Sequence, residues 1–201
     1  MGVYSERSDD DLREGKFMSN AIGTTGRWAP STPEAVNARI RQARMPNETL
    51  VDQNGRSVRF YDDVMKGNRV VINVMYTVCS ESCTPAMRNL VEARRMLGAE
   101  GRNLKFVSLT LTPLTDTPEA LREYIKKNDM PADWTFLTGK QEAVERVQRG
   151  LGFLGTRESD IDPLAHSTMA RYCEEALIKW THVNTLLPPR TIARMIRFEM
   201  V

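Results

Sequence analysis

The sequence predicts an α/β protein, a central mixed sheet flanked by helices, with a hairpin at its start and a hairpin plus helix at its end. Three observations carry this. Apolar runs, VVINVMY (70–76), LKFVSLTL (104–111) and WTFL (134–137), alternate with segments of helical periodicity. TLVDQ and RSVRF flank Asn54-Gly55, a pair suited to a type I′ turn because both centres of that turn need positive φ. Near the end, STMARYC and ALIKWT read as two strands joined by a short turn around Glu174 and Glu175.

Taken in order, residues 1–45 form an extension whose one periodic stretch is PEAVNARIRQA, after the turn-rich GTTGRWAPSTP. The domain occupies 46–201. After the first hairpin, YDDVMKG is a short helical turn ending at Gly67. VVINVMY is an apolar run of seven with Asn73 as its one polar member, the pattern of a strand buried on both faces. Met87, Leu90, Val91 and Leu97 then recur at helical spacing, and Gly98 and Gly101 close that helix. Thr117-Pro118-Glu119 supplies an N-cap hydroxyl, a proline at the first helical position and an acid in the first turn, ahead of ALREYIKK. Thr138 with Gln141 predicts a capping box for EAVERVQRG. PPRTIARMIRF is a closing helix with Pro188 and Pro189 at its start. A thioredoxin-like fold fits this order.

Composition narrows the function. Of 201 residues, 41% are hydrophobic and 27% charged, the balance of a soluble globular chain. With 28 Lys and Arg against 26 Asp and Glu, nothing points to nucleic acid, and no run of basic residues points to an anionic membrane surface. No segment has the eighteen or so consecutive apolar residues of a membrane span. MGVYSERSDDDLREGKFM has neither the apolar core of a signal peptide nor the acid-poor character of a transit peptide. Either the protein stays where it is made, or a targeting segment precedes this sequence. Three cysteines are too few for a disulfide framework, so their role is chemical rather than structural.

Cys79 and Cys83 lie in MYTVCSESCTP, where the first central strand hands over to a helix. This is the carboxyl end of a strand, where reactive groups collect in open α/β sheets. A helix N-terminus favours thiolate over thiol, which makes either cysteine a better nucleophile and a better metal ligand. Of the two histidines, His166 ends a long polar loop directly before the last hairpin and is expected at the same sheet edge. Two thiolates with one imidazole suit Cu(I) in near-trigonal geometry, whereas structural zinc would want a fourth ligand. His182 and Cys173 are read as a non-ligand and a packing thiol. The methionines are core filler. The residues leave several functions open: a metal site, a thiol–disulfide oxidoreductase, a peroxidase with Cys79 as peroxidatic and Cys83 as resolving thiol, and a non-catalytic assembly subunit. Thr77, two residues before Cys79, is the mild hint of a peroxidase.

From TLVDQNGRSVRF to the C-terminus the chain resembles the Sco family (SenC, PrrC), thioredoxin-fold copper proteins of cytochrome c oxidase assembly. VVINVMYTVCSESC, FVSLTLTPLTDTPEALREYIKK, WTFLTGKQEAVERVQRGLGF and LAHSTMARYCEEALIKW carry the likeness through their order and spacing. The resemblance implies copper, as Cu(I) or Cu(II), held by Cys79, Cys83 and His166. It implies delivery to the dinuclear centre of oxidase subunit II, or reduction of that centre's oxidised cysteines beforehand. The partners implied are subunit II or other respiratory assembly factors. Membrane association would come through those partners or a tether outside this chain, facing the bacterial periplasm or the mitochondrial intermembrane space. Asp116 and Pro118 match the family's acidic residue and proline before the second helix. Departures are Thr84 before Pro85, Thr112-Pro113 in place of Asp-Pro, and Ala165 where the family has aspartate before the ligand histidine. Asp160 or Asp162 is left to replace that aspartate.

Overall fold

In a computed structural model of the chain, residues 32–78, 83–154 and 168–200 are described, with residues 83 and 84 as backbone only. Contacts divide the chain after Thr32, and the unit beginning at Pro33 is the one described. Its elements are α1 (Pro33–Arg44), β1 (Thr49–Asp52), β2 (Ser57–Arg59), β3 (Arg69–Met75), α2 (Cys83–Leu97), β4 (Leu104–Thr110), α3 (Pro118–Lys127), β5 (Trp134–Thr138), α4 (Gln141–Gly150), β6 (Met169–Glu174), β7 (Lys179–Asn184) and α5 (Pro189–Glu199). The seven-stranded sheet has the order β2-β1-β5-β4-β3-β6-β7. β3, β4 and β5 are parallel neighbours, and the two hairpins extend them antiparallel at opposite edges.

Alternation along the strands builds two cores. Val71, Met75, Phe106, Trp134, Phe136 and Tyr172 face one way, against Met87 and Leu90 of α2, Leu121 of α3 and Ile192 and Ile196 of α5. Val70, Ile72, Val74, Val107, Leu109 and Leu137 face the other, against Val144 and Val147 of α4 and the helical turn at Phe60–Met65. β3 therefore carries apolar side chains on both faces because both faces are covered. Asn73 is the exception: its Oδ1 accepts from the Ser108 hydroxyl at 2.8 Å, and the Trp134 indole N–H donates to the same Ser108 oxygen at 2.9 Å.

Two local expectations are corrected. The first hairpin does not turn at a type I′ Asn54-Gly55. Gly55 N–H donates to the Asp52 carbonyl at 3.0 Å, Asp52 N–H donates to the Arg56 carbonyl at 2.9 Å, and the loop is the three residues 53–55. Gly55 alone has the positive φ, +78°. The Asp52 side chain decides this, because its Oδ1 accepts the Asn54 and Arg56 N–H groups at 2.8 and 2.9 Å and selects the longer loop. Gly55→Ala is expected to cost about 1 kcal/mol of unfolding free energy, measured by denaturant titration. The second correction concerns Thr138, which stays in β5 with its hydroxyl buried and unpartnered among the described residues, while Lys140 takes the N-cap position of α4. The strand holds Thr138 in the sheet, too early in the chain to reach the α4 N–H groups.

α1 joins the body through Arg41, whose Nε donates to buried Glu175 at 2.6 Å. Gly150 ends α4 against it; a Cβ there would lie 3.0 Å from the Ala43 and Arg44 carbonyl oxygens, so the approach requires glycine. Burial by itself would raise the Glu175 carboxyl, but hydrogen bonds from Gly67 N–H, Arg41 and Tyr61, with the Arg41 charge, outweigh it and hold it below the usual glutamate range. A carboxyl depressed in the folded state stabilises above its unfolded pKa, and that contribution is lost as pH falls through the folded value. Glu175→Gln is therefore expected to lower stability near neutral pH and to flatten the acid limb of the stability–pH curve. Denaturant midpoints collected across that limb check this.

Candidate metal centre

The carboxyl end of β3 is one point of convergence. β3 and β4 end together, Met75 opposite Thr110. β6 runs antiparallel to β3 with Ile72 opposite Arg171, so its start at Met169 returns to the same edge, and β7 ends there with Asn184 opposite Met169. The turn at Thr77 and Val78, the first residue of α2 and the entrance to β6 are thereby gathered at one side of the sheet.

Asp116 organises the first of these. It is fully buried, and its Oδ1 accepts the Thr77 N–H at 3.1 Å and the Thr77 hydroxyl at 2.6 Å. Its Oδ2 accepts the Thr112 hydroxyl at 3.0 Å and also the Thr110 hydroxyl. All four donors are neutral, and all come from strand ends or the loops beyond them. The last described residues before Cys79 are thus pinned to the β4–α3 connection. Thr77 has both its donor groups committed to Asp116.

A second set of contacts ties α2 to β6. The Asn89 side-chain amide donates to the Thr185 carbonyl at 3.1 Å. Thr185 N–H in turn donates to the Thr168 carbonyl at 2.9 Å, and the Thr185 hydroxyl donates to the same oxygen. Thr168 follows His166 by two residues, and Asn89 follows Cys83 by six. Arg171 holds the other side of the connection before β6: its Nε and Nη2 donate to the Leu151 and Gly152 carbonyls at 3.1 and 2.7 Å, and its guanidinium lies 4.8 Å from the centre of the Phe153 ring.

Of the expected ligands, Cys79 and His166 lie outside the described residues, as do Asp160, Asp162 and Ala165. Cys83 is the first residue of α2, whose first turn contains no acidic residue. Cys173 is buried on β6, and burial pushes its thiol up to about 12, the behaviour of a packing thiol. His182 sits on β7 opposite Arg171; partial burial and the Arg171 and Arg44 charges hold its imidazole below the usual range. Among the described residues no three His, Cys, Asp or Glu side chains are disposed to hold a metal ion. Sequence reasoning noticed Asp116 only through its motif. It missed Asn89, Thr185 and Arg171, which act through contacts distant in sequence and carry no local signal.

Comparisons with known proteins agree with this architecture. Residues 38–197 match the SCO1/SenC family model. The chain is 32% identical over 134 residues to a putative copper-binding protein of Stutzerimonas stutzeri, covering 63% of this chain and 62% of that protein. It is also 32% identical over 98 residues to an SCO2-like protein of Rickettsia conorii, covering 49% and 46%. It therefore spans less than two thirds of the length of either relative. Among solved structures, copper-bound ScoI of Bradyrhizobium japonicum superposes with a TM-score of 0.60 at 20% identity over 77% of this chain and 98% of that one. BsSco, described with a disulfide switch and as a member of the Sco family of cytochrome c oxidase assembly proteins, gives 0.60 at 19% over 77% and 94%. A SCO1/SenC family lipoprotein of Bacillus anthracis gives 0.61 at 21% over 79% and 98%. At these identities the structural likeness speaks to the fold.

Proposed function

Because the chain belongs to the SCO1/SenC family, we propose that it is a copper metallochaperone that takes Cu(I) as cargo on Cys79, Cys83 and His166. The observation that carries this reading is the Asn89–Thr185–Thr168 tie, which holds the helix opened by Cys83 beside the strand entered three residues after His166. The donor set fits the ion: two soft thiolates and one imidazole leave a low coordination number. An incoming thiolate can then bind before a resident ligand leaves, so copper passes to a partner by stepwise exchange. The copper-binding relative and the copper-bound ScoI support the cargo, and the description of BsSco as one of the cytochrome c oxidase assembly proteins supports a task in oxidase assembly, for which we take subunit II as the recipient. The lipoprotein neighbour supports work at a membrane surface, and the periplasmic or intermembrane-space side is our assignment. Among the described residues no helix is long and apolar enough to cross a membrane.

The test is titration of the reduced protein with Cu(I) against a competing chelator, followed by mixing with a subunit II peptide that carries the recipient thiols. One tightly held copper per chain, passed to the peptide, is the expected result. The acid-free first turn of α2 also favours a dithiol that reduces the disulfide-bonded form of those cysteines directly and is itself left as a Cys79–Cys83 disulfide. Disulfide exchange with the oxidised peptide, equally fast with and without metal and indifferent to His166, would place that activity first.

A further inference from the structure

α2 and α5 pack side by side on one face of the sheet, both running away from the carboxyl end of β3. Their outward stripes are rich in arginine. α5 contributes Arg190, Arg194 and Arg197, at helical spacing on its exposed side, and α2 contributes Arg88 and Arg95. The acids of these two helices are already engaged: Glu92 pairs with Arg95 at 3.4 Å, and Glu199 with Lys179 at 3.1 Å. Arg197 reaches Glu100 at 2.5 Å. Among the described residues no carboxylate forms an ion pair with Arg88, Arg190 or Arg194. Arg190 also stands in the first turn of α5, where the helix terminus repels a cation and where there is no acid. These three side chains contribute no charge pairing to the fold, and one is placed against the local field. At the far end of the stripes two apolar side chains project into solvent, Phe198 at 78% exposure and Met96 at 45%.

We propose that this α2–α5 face docks on a bilayer carrying anionic headgroups. Unpaired arginines spaced along a helix give a broad positive stripe, complementary to a surface of distributed negative charge rather than to a single carboxylate. Phe198 and Met96 supply the apolar contact that an interfacial helix pushes between headgroups. In this orientation the carboxyl end of β3 points along the membrane plane. That end of the sheet then faces a recipient domain standing on the same bilayer. The arginines are dispersed along the chain and meet only on the folded surface, which is why the sequence shows no basic run.

Co-sedimentation of the full chain with phosphatidylcholine vesicles, with and without phosphatidylglycerol, tests this. The chain is expected to bind the anionic vesicles at low salt, to leave them at high salt and to ignore phosphatidylcholine alone. R190Q combined with R194Q should weaken partitioning by roughly thirtyfold, and Phe198→Ser should weaken it further without changing the salt slope. Absence of binding to anionic vesicles, equal binding to both lipids, or an unchanged double variant each overturns the proposal. Binding of the parent to an acidic protein in place of vesicles does so as well. Circular dichroism confirms that the variants fold, and their Cu(I) stoichiometry, expected at the parent value, keeps a failure here distinct from a failure of the copper reading.

Discussion

His166→Ala is expected to weaken Cu(I) binding by more than the roughly 10- to 100-fold that loss of an outer-shell partner costs a metal site. Cys79→Ser and Cys83→Ser should each weaken it further, because a hydroxyl is a hard, poorly ionised donor where Cu(I) prefers a soft thiolate. The order of the three losses is itself informative. Removing the imidazole leaves two sulfurs, which can still hold copper, whereas removing either sulfur leaves one thiolate and one nitrogen. Competition titration against a Cu(I) chelator of known affinity measures all three variants on one scale. Parent affinity in His166→Ala would sink the three-ligand model and leave a dithiol.

Asp116→Ala should carry the largest loss of stability outside the apolar core, on the order of 2–4 kcal/mol, because four donors, one buried and three part-buried, lose their acceptor together. The hydroxyls of Thr77, Thr110 and Thr112 can rotate toward other oxygens, but the Thr77 N–H cannot. Asp116→Asn keeps one oxygen for Thr77 and turns an amide toward hydroxyls able to accept from it, so its cost should be about half as large. Chemical denaturation gives both numbers. If Thr77 positions the turn that leads to Cys79, copper affinity will fall in step with stability across the pair, at temperatures where both variants remain folded. A destabilised Asp116→Ala that binds copper like the parent would make the network purely structural.

The main elements were legible because their causes are local. The mostly apolar run of β3, Val70–Met75 with Asn73 within it, reports burial on both faces, and Thr117 with Pro118 starts α3 as read, its hydroxyl accepting the Ala120 N–H at 3.3 Å. PPRTIARMIRF is α5, with Pro188 at its N-cap. Expectations failed where a neighbour outside the motif competed. Asp52 captured the N–H groups of the first turn and lengthened it, and β5 kept Thr138 from capping α4. The ligands themselves were named through chemistry and family resemblance, and Cys79 and His166 lie outside the described residues.

By itself the sequence determined the order and type of the elements, the strand-to-helix handover at the cysteine pair and the soft character of its donors. These follow from side-chain periodicity, capping groups and ligand chemistry within a few residues of each other. Only the tertiary structure decided that the two hairpins flank the parallel core at opposite edges, that Asn89 and Thr185 join α2 to the entrance of β6, and that the exposed arginines of α2 and α5 share one face. Each of these depends on contacts between residues far apart in the chain, and pairing, register and packing are settled by the whole sheet at once.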